Sequence, residues 1–262
     1  MFDNMEEYTD PNRYDQENQG HHELALFLQH LPKEARTIVD LACGTGRLTL
    51  PLAEAGYRML GIDLHEGMLE AAKGKSAARN LDIEWRQTDA LQLELEQQAD
   101  AFVMVGNSFQ HFLTQEEQLQ LLTRIRQNLA PDGLLIFDLR FPSRNELAQS
   151  SREDLAYTYK DLLDQTCNVY YDSQYDPVTQ IQHNTTYRMT ELRDGEHSTD
   201  EARIHLRFTY PQELKLLLAQ AGLHLEAWYG SWNKDSIGED HPSIVVVCRR
   251  ENKAHNHLPS NF

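Results

Sequence analysis

Residues 38–46 read Ile-Val-Asp-Leu-Ala-Cys-Gly-Thr-Gly, and they decide the fold class of this chain. A short apolar run that ends in an acid predicts a buried strand, and the two glycines predict a tight turn into a helix that begins near Arg47. Glycine suits such a turn because it adopts positive φ and lets a ligand approach the backbone. The free N–H groups of the helix start favour a carboxylate or a phosphate. The stretch therefore predicts a nucleotide-like ligand at the carboxyl end of the first strand of an open α/β sheet.

A second acid stands where a ribose-binding carboxylate is needed. Residues 57–63 read as a strand that ends at Asp63, which follows Gly44 by about 20 positions, the usual spacing for such a carboxylate. The dinucleotide fingerprint also needs a third small residue three positions after the second glycine, and Thr49 occupies that position. The spacing fits an adenosine ligand and leaves NAD and S-adenosylmethionine both open.

Four segments within residues 37–140 resemble, in order, the motifs of class I S-adenosylmethionine-dependent methyltransferases of the small-molecule type, such as amino-sugar and glycine N-methyltransferases. The segments are residues 40–46, 61–72, 88–90 and 99–108. The resemblance implies an α/β fold, a doubly wound Rossmann-like sheet, with S-adenosylmethionine as cofactor and S-adenosylhomocysteine as product. It also implies a small-molecule acceptor, more often an amine nitrogen than an oxygen. The apolar run at residues 243–248 fits the late antiparallel strand of that fold.

The resemblance also implies individual cofactor contacts. The turn that contains Gly44 would pack against the methionine portion, Asp63 would accept both ribose hydroxyls, and Asp89 would accept the adenine amino group. The expected cofactor-binding set is Asp40, Ala42, Cys43, Gly44, Gly46, Asp63, Leu64, Met68, Asp89, Ala90, Val105 and Asn107. Structural interpretations stay open for several of them: Asp40 as a helix cap, Met68 as core, and Cys43 as a small apolar residue.

Two residues are candidates for the acceptor side. His111 follows the fourth predicted strand, at the offset where the similar amino-sugar enzymes carry a histidine, and His is a suitable base because it titrates near neutral pH. Tyr14, ahead of the first predicted helix, resembles a tyrosine that reaches the active site in the same group. The chain has 12 histidines, so His111 is also open to a chance match, and Tyr14 is equally open to a role as a surface aromatic.

The hydrophobic pattern divides the chain into five parts. We expect an N-terminal helical arm or lid at 1–36, a cofactor-binding core at 37–145, an antiparallel β insertion at 146–210, the remainder of the core at 211–250 and a flexible tail at 251–262. Helical spacing in the arm places Leu24, Phe27, Leu28 and Leu31 on one face. Alternation at period two predicts a three-stranded meander after the fifth strand. The insertion would cover the substrate, form a homodimer surface or merely extend the core.

The composition of the chain limits the kinds of partner that we expect it to bind. The chain carries 24 Lys and Arg against 41 Asp and Glu, a net charge of −17, which disfavours nucleic acid. No apolar run approaches the roughly 20 residues of a membrane helix, and no signal-peptide pattern is present, so we expect a cytoplasmic protein without membrane contact. Three widely spaced cysteines fit a reducing compartment. The histidine pairs His21–His22 and His255–His257 lack the further ligands of a zinc site, so we expect no metal.

Two other functions remain open from the sequence. The first is an NAD(P)-dependent oxidoreductase, against which Thr49 and the late antiparallel strand count. The second is a non-catalytic protein that binds S-adenosylmethionine and shows no acceptor-dependent turnover. Residues 106–109 read Gly-Asn-Ser-Phe, so the Asn/Asp-Pro-Pro-aromatic box of base and glutamine methyltransferases is absent.

Overall fold

The computed structural model describes residues 4–148, 155–161, 163–192, 196–238 and 241–251. The expected tail lies outside these ranges apart from its first residue. Within the described part, the helices are α1 Pro11–Glu17, α2 Leu24–His30, α3 Thr49–Glu54, α4 Glu66–Ala78, α5 Gln115–Asn128, α6 Arg144–Ala148 and α7 Pro211–Ala221. The strands are β1 Ile38–Leu41, β2 Met59–Asp63, β3 Glu84–Gln87, β4 Ala99–Met104, β5 Leu129–Arg140, β6 Tyr157–Lys160, β7 Thr166–Asp176, β8 Ile181–Glu191, β9 His197–Arg207, β10 Leu223–Tyr229 and β11 Ser243–Arg250.

The main sheet has seven strands in the order β3-β2-β1-β4-β5-β11-β10. The strands from β3 to β5 pair in parallel, whereas β11 is antiparallel to both β5 and β10. The dinucleotide-binding sheet instead runs in the order 3-2-1-4-5-6. The insertion of an antiparallel strand between β5 and β10 confirms the predicted Rossmann-like methyltransferase sheet and counts against the oxidoreductase.

Two apolar clusters cover the sheet, one on each face. Alternate residues of a strand point to opposite faces, so β1 sends Val39 to the cluster beneath α5 and α7 and Ile38 to the cluster beneath α2 and α3. Helix α7 begins with Pro211 in its first turn and ends at Gly222, which has a φ of +74°. Its apolar face is buried, at Leu214, Leu217 and Leu218.

The glycine turn is shaped by an indole ring. A Cβ atom at Gly61 would lie 2.4 Å from the ring of Trp85, and one at Gly46 would lie 2.9 Å from it. Glycine at these two positions lets the Trp85 ring pack closely against the middle of β2 and the turn after β1. Helix α3 begins at Thr49 and not near Arg47, because the residues between are still part of the turn.

The insertion follows β5, as predicted, but it has four strands and not three. They form a separate antiparallel sheet in the order β6-β7-β8-β9. The strand missed from the sequence, β6, has only four residues, too few to establish a period-two pattern. The other three strands have 11 residues each.

The N-terminal arm differs in two details from the prediction. Tyr14 precedes the predicted helix α2, but it lies within a further helix, α1, which was not predicted; Asp10 caps α1 by accepting hydrogen bonds from two backbone N–H groups. Leu28 was expected on the buried face of α2, yet it is 42% exposed, and Leu26 is buried with Phe27 in its place. A helix of seven residues is too short for spacing alone to fix which side faces the core.

Candidate active site

A cavity of about 310 Å³ opens at the carboxyl ends of β1, β2 and β4. The core supplies most of its wall, and the N-terminal arm supplies Asn4, Met5, Tyr8 and Tyr14. Nine sequence-predicted residues line it: Tyr14, Ala42, Gly44, Asp63, Leu64, Met68, Asp89, Ala90 and His111. Five predicted cofactor residues do not line this cavity: Asp40, Cys43, Gly46, Val105 and Asn107.

Asp63, the predicted ribose-binding residue, is hydrogen-bonded both to the glycine turn after β1 and to the residues that follow β2. Its Oδ2 accepts a hydrogen bond from the Gly44 N–H at 2.8 Å, and its Oδ1 accepts one from the His65 N–H at 2.8 Å. Burial raises the pKa of Asp63, and these backbone donors act in the opposite direction. Each carboxylate oxygen has a further lone pair. The carboxylate therefore fits a pair of hydroxyl donors in the cavity.

The residues predicted to contact the adenine are two apolar side chains, Leu64 and Met68, and one carboxylate, Asp89. Met68 is buried, whereas Leu64 is 55% exposed, and both present apolar surface to the cavity. Asp89 caps the short 3₁₀ helix Ala90–Gln92, where its Oδ1 accepts from the Leu91 N–H at 2.9 Å. That bond leaves lone pairs on both oxygens of Asp89, which fits a donor such as an exocyclic amino group.

Asp40 lies behind the glycine turn. Its Oδ2 accepts from the Thr49 hydroxyl at 2.6 Å, which ties the end of β1 to the start of α3. Its Oδ1 is buried and has no hydrogen-bond partner. Burial raises the pKa of Asp40 to about 7, although the Thr49 bond favours the ionised form. An unpartnered buried carboxylate oxygen beside the turn fits an ammonium group such as that of a methionine portion.

The other predicted residues outside the cavity shape the turn and the loop after β4. Cys43 packs against Gly61, where a Cβ would lie 3.1 Å from its Sγ, and burial raises the pKa of its thiol well above the ordinary value. Asn107 has a φ of +61°, and its N–H donates to the Oδ1 of Asp138 at 3.1 Å. These contacts give both residues structural roles.

Tyr8 is the residue that sequence reasoning missed. Its hydroxyl lies 2.9 Å from the Nε2 of His111, and the two ring centroids are 5.7 Å apart. The centroid of the Tyr14 ring lies 5.9 Å from that of Tyr8, and a Cβ atom at Gly44 would lie 3.7 Å from the Tyr14 ring. Tyr8 belongs to a polar segment without periodicity, so its sequence carried no signal beyond the aromatic side chain itself.

The hydrogen bonds of Asn4 indicate which tautomer of His111 is present. Its amide donates to the carbonyl of His205 at 2.7 Å and accepts from the N–H of the same residue at 2.8 Å, which fixes its orientation. The amide nitrogen then faces the Nδ1 of His111 at 3.4 Å, a long donor contact. Nδ1 is therefore the acceptor, and Nε2 donates its proton to the oxygen of Tyr8. The Tyr8 O–H is left to donate elsewhere.

Both members of this pair are neutral near pH 7. Burial lowers the pKa of His111 to about 4, and burial raises the pKa of Tyr8. A histidine with so low a pKa is a weak base, so the pair offers hydrogen bonds and not a proton sink.

Asp138, beneath the loop after β4, gives a pH-dependent test of this geometry. Burial raises its pKa to about 7, although the Asn107 N–H favours the ionised form. The folded protein thus holds this proton more tightly than the unfolded chain does, and the resulting stability is lost as pH rises from about 4 to about 7. Asp138→Asn keeps the acceptor without the charge. We expect its melting temperature to exceed that of the wild type by more at pH 8 than at pH 4.5, measured calorimetrically; equal differences would contradict the raised pKa.

Comparison with known proteins identifies the family. A sequence profile described as "Methyltransferase domain" matches residues 38–133. A protein of Geobacillus sp. (strain WCH70), named as a methyltransferase, is 37% identical over 225 residues, which cover 82% of this chain and 85% of that protein. The chain belongs to the class I S-adenosylmethionine-dependent methyltransferases, and it is an enzyme that uses S-adenosylmethionine.

Two further relatives match over most of their length. The cypemycin N-terminal methyltransferase of Streptomyces sp. is 26% identical over 87% of this chain and 89% of its own. The CcbJ methyltransferase of Streptomyces caelestis superimposes with a TM-score of 0.79 at 25% identity, over 96% of this chain and 100% of that one.

Other expectations concern ions and partners. Within the described ranges, no three His, Cys, Asp or Glu side chains come together in a way that could hold a metal ion. None of the helices in the same ranges is long and apolar enough to cross a membrane. The expectations of no metal, no nucleic acid and a homodimer stay predictions.

Proposed function

We propose that this enzyme transfers the methyl group of S-adenosylmethionine to the nitrogen of a small-molecule amine and releases S-adenosylhomocysteine. The observation that carries the proposal is the neutral pair of Tyr8 and His111 in the cavity wall, at the carboxyl end of β4. The described residues of that wall include no lysine or arginine. The wall therefore repels neither an amine nor its ammonium product.

The cofactor half of the site uses the predicted residues that meet in the cavity. Asp63 would accept the ribose hydroxyls, Leu64 and Met68 would flank the adenine, and Asp89 would accept its amino group. When bound, S-adenosylmethionine supplies an electrophilic methyl group on a sulfonium. Gly44 has a φ of +55°, which favours glycine, and its missing side chain leaves space beside the Tyr14 ring for the methionine portion.

The acceptor half has to orient a lone pair and exclude water. Methyl transfer is an in-line displacement, so its rate depends on how the acceptor nitrogen is aligned. His111 fixes the hydroxyl of Tyr8, whose remaining lone pair accepts an amine N–H while its O–H remains available to the substrate. A neutral amine already carries its nucleophilic lone pair, so the transfer itself requires no base, which agrees with the low pKa of His111.

The relatives support an amine acceptor. The similar enzyme from Streptomyces is named for methylation of an N-terminus, and an N-terminus is an amine. A hydroxyl acceptor would need a base to remove its proton, and the pKa of about 4 makes His111 a poor one.

The acceptor class is tested with pairs of small amines and alcohols of the same carbon skeleton. We expect formation of S-adenosylhomocysteine to depend on the amine member of a pair, with the methyl group located on nitrogen by mass spectrometry. Faster turnover of the alcohols would contradict the proposal. Binding of the cofactor with no turnover of any amine would contradict it as well.

The pH dependence of kcat/KM distinguishes protonation of the amine substrate from protonation of His111. We expect kcat/KM to fall about tenfold for each pH unit below the pKa of the amine, because the protonated amine has no lone pair. The profile should show no further break near pH 6.5, since His111 stays neutral down to about pH 4. Rates measured with two amines of different pKa check this. A break near pH 6.5 shared by both would show that a histidine acts as the base.

A further inference from the structure

The first part of the N-terminal arm, residues 4–17, contacts the insertion sheet at several points, and a buried arginine makes one of these contacts. Arg188 on β8 has a side chain that is only 5% exposed. Its Nη2 donates to Glu7 at 2.7 Å, and its Nε and Nη2 both donate to Glu17 at 2.9 Å. Glu7 directly precedes Tyr8, and Glu17 lies one helical turn after Tyr14. The guanidinium therefore holds the arm on both sides of its two active-site tyrosines.

Smaller contacts accompany this one. The Thr186 hydroxyl donates to Glu7 at 2.5 Å, and Arg13 pairs with the more exposed Asp200 at 2.5 Å. The core holds the arm separately, at Asp15, through the Thr45 hydroxyl and the Lys75 ammonium. Among the cations in these contacts, Arg188 has the least exposed side chain, and it is the one that joins two arm carboxylates.

We propose that Arg188 is a positioning residue whose contact with Glu7 and Glu17, the arginine clamp, holds the arm closed and sets Tyr8 against His111. The inference rests on the proposed function in so far as the cavity under the arm holds the cofactor. A planar guanidinium fork matches two carboxylates in a way that a lysine does not. Removing it leaves two carboxylates, each 14% exposed, facing one another without a counter-charge.

The arm controls both access and chemistry. It contributes four residues to the cavity wall, Asn4, Met5, Tyr8 and Tyr14, so a ligand beneath them leaves more readily when the arm lifts. The same movement separates Tyr8 from His111. The clamp therefore couples release of the product to the geometry that orients the acceptor.

The test measures the arm with and without ligand. Stopped-flow dissociation of S-adenosylhomocysteine is compared for the wild type, Arg188→Met and Arg188→Lys, and hydrogen exchange of residues 4–17 is followed in the unliganded proteins. We expect Arg188→Met to release S-adenosylhomocysteine about tenfold faster, which corresponds to about 1.4 kcal/mol, and to exchange its arm amides faster. Arg188→Lys should fall between it and the wild type. Dissociation and exchange rates within twofold of the wild type would overturn the proposal.

A control variant tests whether the effect is specific to Arg188, and a second pair of variants tests the clamp if Arg188→Met does not fold. Arg249→Met removes an exposed ion pair with Glu226 on the β10–β11 edge and should leave both rates unchanged. If Arg188→Met fails to fold, Glu7→Gln and Glu17→Gln each weaken the clamp, and each should accelerate release. If neither does so while both are folded, the clamp is wrong.

A double mutant asks whether Arg188 acts through Tyr8. In the wild-type background we expect Arg188→Met to lower kcat, whereas in a Tyr8→Phe background it should lower kcat no further. Additive losses would overturn the positioning role. A wild type that binds no S-adenosylhomocysteine would instead refute the proposed function, while hydrogen exchange of the unliganded arm would still test the clamp.

Discussion

Replacing Asp63 by alanine is expected to weaken binding of S-adenosylmethionine and S-adenosylhomocysteine by at least about 100-fold. Hydrogen bonds to a charged group contribute about 1.5–3 kcal/mol each, and two ribose hydroxyls would lose their acceptor. The Gly44 N–H would also lose its partner, which loosens the turn that faces the methionine portion. Isothermal titration calorimetry of both ligands measures the effect.

Asp63→Asn and Asp82→Ala complete this experiment. The amide retains an acceptor but no charge, so it should fall between alanine and the wild type. Asp82 is an exposed acid in the connection before β3, and its loss should leave affinity unchanged. Affinity within threefold of the wild type for Asp63→Ala would show that the ribose is bound elsewhere.

The second large effect concerns His111. We expect His111→Ala to lower kcat about 100-fold while changing the affinity for S-adenosylmethionine by less than about threefold, because misplacement of a reacting group by about 1 Å costs a factor of that size. Without the imidazole, Tyr8 loses the donor that fixes its hydroxyl. An effect on kcat without one on cofactor binding is the signature of a group that acts on the acceptor side.

Tyr8→Phe provides the independent check. Because Tyr8 and His111 act as a unit, the double variant should be no slower than the worse single variant. His224→Ala, an exposed histidine on β10, serves as the control and should retain full activity. An unchanged kcat in His111→Ala would remove the pair from the mechanism.

The sheet was predictable because its signals are local. The parallel strands β1, β2, β4 and β5 contain apolar runs, and the glycines reflect the positive φ of the turn after β1 and the close packing of Trp85. The antiparallel strand β11 was predictable for the same reason, because it is also an apolar run. Four residues in β6 are too few for a period, so the fourth strand of the insertion was not predicted.

The cavity was predictable only in part. Family motifs indicate which residues surround a cofactor, but they do not distinguish Gly44, in the wall, from Asp40, behind the turn. The contact of Tyr8 with His111 joins residues 103 positions apart, and it exists because the insertion sheet holds the arm over the core. No pattern within either segment encodes that distance.

The most direct test of the account is a crystal structure of the complex with S-adenosylhomocysteine. We expect both ribose hydroxyls within hydrogen-bond distance of the Asp63 carboxylate, the adenine between Leu64 and Met68 beside Asp89, and the sulfur facing the Tyr8 hydroxyl. A ligand bound outside this cavity, or one whose sulfur points away from Tyr8 and His111, would contradict the account.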